Sequence, residues 1–199
     1  MLKKQLEKHI AYALTTEEKK LNLYPEEKEY VVKHQLLSSN IIVVDLDSDT
    51  RYFNAVIERC NKETEELISK EKLSFLNQPL NYLKVHRNEF LYVESTSLEN
   101  IGVDSIALEF DEVFEAYTAM MGLKLQKKFG DAIKTYFDNH LQGDKTEYSV
   151  LFSTEDGMWH VNFPINFVDQ FHMEMSLKEA YELIYRFLFT LVEDVEDNQ

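Results

Sequence analysis

The sequence predicts an α+β fold, with helices packed on a small, mostly antiparallel sheet, a C-terminal hairpin and a C-terminal helix. Three observations predict it. Asp156-Gly157 sits between two apolar, aromatic runs, a strong signal for a hairpin. Ser176-Leu177-Lys178-Glu179 is a capping box at the head of a long amphipathic run. Nearer the start, apolar residues at helical spacing alternate with a short β-branched run, Ile41–Val44.

The elements follow in order. Leu2, Leu6, Ile10, Ala13 and Leu14 recur at helical spacing and predict a helix over about residues 2–15. Pro25 followed by Glu26 and Glu27 suits a helix start, because proline has no amide to leave unbonded and early acids meet the positive end of the dipole. Asn40–Asp45 predicts a strand buried on both faces. Phe53, Val56, Ile57, Cys60, Thr64, Leu67 and Ile68 fall on one stripe and predict a helix over about 50–72. Pro79 predicts a short helix through Tyr82, Leu83 and His86, and Phe90–Val93 a strand.

Ser95–Asn100 is polar and predicts a loop; the stretch 94–105 is the best candidate for a subdivision of an otherwise single domain. Ile106, Leu108 and Phe110 alternate and predict a half-buried strand. Apolar residues from Val113 to Phe137 predict a long helix over about 111–141. Pro164, which cannot donate to a ladder, predicts an edge or bulge in the second hairpin strand. The last helix runs through Val195, and the acidic tail Glu193–Gln199 is expected to fray. The first half therefore reads as mainly helical.

Composition bounds the function. Hydrophobic residues make up 44% and charged residues 29% of the 199, as in ordinary globular chains, which argues against disorder. Cys60 is the only cysteine, so no intrachain disulfide and no multi-thiolate zinc site can form; a reducing cytoplasm is the expected location. The N-terminus has lysines but no apolar run after them, so no secretory signal is read. No apolar window is long enough to span a membrane. The five glycines are too scattered to form a dinucleotide or P-loop motif.

Charge is unevenly placed. Residues 1–100 carry 14 Lys/Arg against 17 Asp/Glu, whereas residues 101–199 carry 7 against 19, nets of −3 and −12. The second half also holds 16 of the 25 aromatic residues. Such a surface repels nucleic acid and anionic membrane, and fits a basic protein partner.

The candidate interaction residues are the acids Glu109, Asp111, Glu112 and Glu115, together with Glu155, Asp156 and the single tryptophan, Trp159, which reads equally as an ordinary core or edge aromatic covering the sheet. Tyr181, Tyr185, Phe187 and Phe189 occupy more than one face of the last helix, so the helix is expected either to be deeply buried within the monomer, the commoner outcome, or to lie partly at an interface and form a homodimer. No residue is assigned to catalysis, a metal or a cofactor. Cys60 reads as a small buried hydrophobe. No metal-binding histidine spacing is present; Asp169-x-x-His172, with His160 and Glu174, is the nearest approach. Two functions follow. The first is a non-enzymatic acidic module for a basic protein; the alternative is a small enzyme or ligand-binding protein using His160, Asp169 and His172.

Overall fold

The computed structural model describes residues 2–15, 17–37, 40–143 and 147–198. Helix α1 (Leu2–Thr15) buries Leu2, Leu6, Ile10 and Ala13, one residue per turn of the stripe, while Leu14 is exposed. Strand β1 (Lys20–Leu23) leads into α2 (Pro25–Lys33), where the Tyr24 amide donates to the Glu27 carboxylate at 3.0 Å and so closes the first turn. Strand β2 (Ile42–Asp45) pairs in parallel with β1. Contrary to expectation β2 is not buried on both faces: Ile42 is exposed and Val43 and Val44 are half-buried.

Residues 50–72 are not a helix. A 3₁₀ turn (Ser48–Thr50) precedes β3 (Val56–Asn61) and β4 (Leu67–Lys70), an antiparallel hairpin. Next come α3 (Asn81–Val85), β5 (Glu89–Glu94) and α4 (Thr96–Asn100). The polar Ser95 does not begin a loop; its hydroxyl caps α4 by accepting from the Leu98 amide. Strands β6 (Val103–Asp111) and β7 (Ala116–Leu123) form a second hairpin where a long helix was predicted. Only the end of that region is helical, as α5 (Gly130–His140). Strands β8 (Ser149–Ser153) and β9 (Met158–Pro164) form the predicted C-terminal hairpin, and α6 (Leu177–Asp197) closes the fold behind its capping box.

The main sheet has seven antiparallel strands in the order β4-β3-β5-β6-β7-β9-β8. Five of the nine strands belong to the first half, which is therefore not mainly helical. Strand β9 is not at the edge. Its pairing with β8 ends at Asn162, so at Pro164 its neighbour among the described strands is β7, opposite Thr118, and no ladder amide is missed.

Register sorts the two faces. Ile57, Val93, Leu91, Ile106, Leu108, Ala119, Met121, Val161 and Phe163 align on the inner face and are buried. Helix α6 crosses this face: the Tyr181 hydroxyl donates to the Leu91 carbonyl at 2.6 Å, and Phe187 packs on Phe163 and Phe137. Helix α5 is held beside it by Gly130, whose Cα faces the Trp159 ring closely enough that a Cβ would lie 2.5 Å from Cη2. One contiguous apolar core results, and it includes Leu98, Ile101 and Val103 from the stretch 94–105.

The aromatic residues Tyr181, Tyr185, Phe187 and Phe189 are all buried within this core. Their burial matches the expectation of a helix deeply buried within the monomer. Helix α6 extends through Asp197, and Lys33 reaches Glu193 and Asp197 at 2.7 and 2.8 Å; Gln199 lies outside the described residues.

Candidate interaction surface

The outer face of the sheet is the less covered one. Tyr92, Ala107, Glu109, Thr118 and Met120 are half-buried there, and His160, Asn162 and Leu151 are exposed. A groove of about 490 Å³ lies on it, with Glu109, Thr118, Met120, Ser149, Asn162 and Pro164 from four adjacent strands as its floor. Phe114 and Phe167 stand at its sides. A second depression beside Gly122 and His160 shares Met120 and Asn162 with it, so the concavity runs along the strands.

The β6–β7 turn sets the wall. One Asp111 oxygen accepts from the Val113 and Phe114 amides at 2.8 and 3.1 Å, bending the chain back at once. That tight bend leaves Val113 84% and Phe114 61% exposed. Neither residue is spent on the core, which places a large apolar tip beside a groove.

The charge around the groove is thinner than the sequence count suggests. Lys62 meets Glu109 at 3.1 Å and Arg87 meets Glu112 at 2.9 Å, both bases coming from the first half of the chain. Among the described residues, the groove-lining Asp111 and Glu147 have no lysine or arginine partner and keep the rim negative, and Glu115, in the same turn as Asp111, has none either. Tyr148 lines the same groove and donates to Asp138 at 2.6 Å. Burial, and then that carboxylate, push its hydroxyl up to about 12, so it stays a neutral donor at pH 7.

The structure divides the predicted surface residues. Glu109, Asp111, Glu112 and Glu115 gather at the β6–β7 turn. Glu155 and Asp156 lie in the β8–β9 turn, which the register places at the opposite end of the sheet, next to Leu123 rather than Ala116. Trp159 is withdrawn from the surface altogether: it is on the inner face, 6% exposed, against Phe152 and Gly130. The cause is strand alternation, which turns Trp159 inward once His160 and Met158 point outward.

The alternative set does not assemble. His160 lies 3.1 Å from Asp156, Asp169 accepts from Gln142 at 3.3 Å, and His172 is 3.8 Å from Glu174. Ser153, Asp156 and His160 do meet, but in an order unsuited to nucleophile activation. The Ser153 hydroxyl donates to Asp156 at 2.7 Å, and His160 contacts that same oxygen instead of the serine. The serine, then the histidine, hold the Asp156 carboxyl below its usual range. Cys60 is buried, and desolvation, then Glu58, push its thiol up, away from reactivity.

Two clusters escaped the sequence reading. The Arg51 side chain is fully buried between the Tyr24 and Tyr185 rings, 4.0 and 3.8 Å from their centroids. Its Nε–H is shared by both Glu182 oxygens, and its Nη2 binds Glu26. Burial lifts the Glu182 carboxyl to about 7, although Arg51 pulls the other way. The available signal was Glu182 itself, a charge inside an otherwise apolar helix face that needs a partner. The second cluster is His34, Glu193 and Asp197, the one group of three metal-capable donors that converges among the described residues, with donor atoms within 4.8 Å of one another. Among the described residues, no helix is long and apolar enough to cross a membrane. No family model matches the chain, and no curated protein and no solved structure matches it either.

Proposed function

We propose that the chain is a non-enzymatic protein-interaction module whose outer sheet face takes a basic segment of a partner protein. The carrying observation is the exposed Val113-Phe114 tip beside a groove lined by Asp111 and Glu147, which have no basic partner among the described residues. The tip offers an apolar anchor, and the rim favours lysine and arginine around it. The proposed occupant is a segment with a large apolar side chain flanked by cations.

Affinity capture with the full chain tests this, run in parallel with Phe114→Ser and with Phe53→Ser, a control in which another exposed aromatic residue lies elsewhere. The expected captured protein is basic, is released between about 0.05 M and about 0.5 M salt, and is lost with Phe114→Ser only. Capture that survives Phe114→Ser, or that both variants abolish, overturns the proposal. A small-molecule occupant is the second reading, favoured by the groove's size, which falls in the range of ligand pockets. It predicts binding that salt does not weaken.

A further inference from the structure

We propose that His34, Glu193 and Asp197 form a divalent transition-metal site of the zinc class, one that exchanges with the Lys33 ammonium. Glu193 and Asp197 are four residues apart on α6, so they project from the same side of its last turns. His34 caps the end of α2, its amide bonded to the Tyr30 carbonyl at 3.0 Å and its ring resting on the Tyr30 ring at 4.1 Å. That fixes the imidazole so that Nε2 lies 3.4 Å from Asp197 and 3.8 Å from Glu193. This Nε2 is buried and makes no hydrogen bond. A buried ring nitrogen that makes no hydrogen bond and is aimed at two carboxylates is what a metal ligand looks like before the ion is added.

The chemistry agrees. A neutral imidazole and two carboxylates suit zinc and its neighbours, and their combined charge balances a divalent ion. Three protein ligands leave a coordination position for water, and a depression lined by Lys3, Glu7 and Tyr30 opens beside the cluster. Lys33 now bridges the two carboxylates at 2.7 and 2.8 Å. It supplies only one positive charge, and its side chain is 57% exposed on a flexible stem, so it can swing into water as a metal enters. The ion would then join the end of α2 to the end of α6.

Titration of the tag-free full chain with Co²⁺, read by visible absorption, and then with Zn²⁺ as competitor, tests the site. Saturable absorption at one ion per chain that Zn²⁺ removes is expected. His34→Ala and Asp197→Asn weaken binding by about tenfold or more, with unchanged circular dichroism. Lys33→Met strengthens it by removing the internal competitor, a direction that a merely structural ion pair does not produce. Absence of saturable absorption in the parent overturns the site, even if Lys33→Met alone binds. Binding unaffected by His34→Ala overturns it as well.

Discussion

Glu115 and Gly157 occupy the same position in two turns built alike. The β6–β7 and β8–β9 hairpins reverse over four residues, and so does β3–β4 once the Asn61 amide, bonded to the Glu66 carbonyl at 2.9 Å, is counted as closing its loop. The side-chain oxygen of the residue before the loop, Asn61, Asp111 or Ser153, accepts from amides within it. The last loop residue, Glu65, Glu115 or Gly157, is left-handed, with φ of 58°, 49° and 68°.

The left-handed region costs an ordinary residue about 1–2 kcal/mol. Gly157→Ala is therefore expected to destabilise by about 1 kcal/mol, since its Cβ would meet nothing within 4 Å and strain is the whole effect. Glu115→Gly is expected to stabilise by up to about 1 kcal/mol, less what the freer unfolded chain takes back. Urea midpoints of the two variants check the opposite signs.

These turns also explain which parts of the fold could be read from the sequence. The β8–β9 hairpin was legible because its left-handed residue is a glycine after aspartate. The other two place glutamate there, and glutamate is an ordinary helix residue. With the reversal unmarked, Ile57, Cys60, Thr64 and Leu67 fit a helical period by coincidence, and so do Tyr117, Met121 and Leu125. Helix ends were better marked, by Pro25 and by Ser176 with Glu179. The acids at the β6–β7 turn were legible as a cluster, but the pairing of Glu109 and Glu112 with Lys62 and Arg87 was not, because those partners arrive from loops distant in sequence.

Gly130 faces Trp159 across the α5–sheet contact. Alanine at this position would raise helix propensity by about 1 kcal/mol in an open helix. Here its Cβ would fall 2.5 Å from the indole, and the aromatic ring is not the free end of a flexible chain. Gly130→Ala is expected to destabilise by about 1–3 kcal/mol and to shift the emission of the single tryptophan. A more stable variant with unchanged fluorescence would contradict this packing.

Arg51 sits amid Glu26, Glu27 and Glu182, three carboxylates to one cation. Arg51→Met leaves buried acids uncompensated and is expected to cost about 3–5 kcal/mol at neutral pH and above. Adding Glu182→Leu should recover much of the loss, as measured by denaturant unfolding.

The pH dependence has a definite sign. The folded Glu182 carboxyl titrates at about 7, above its unfolded value, so the folded state holds the proton more tightly. The stability it contributes is fully present below the unfolded pKa and is lost as pH rises through about 7. Glu182→Gln lacks this loss. Its stability relative to the parent is expected to improve from about pH 5 to about pH 8, and a flat difference across that window would rule the titration out.

The groove on the outer sheet face is tested most directly by hydrogen–deuterium exchange of the full chain with and without its captured basic partner. Amides in residues 109–120 and 147–167 are expected to slow on binding, while those of β1 and β2 keep their rates. Slowing confined to β1, β2 or the face of α1, with the groove segments unchanged, would place the partner elsewhere and contradict the proposal.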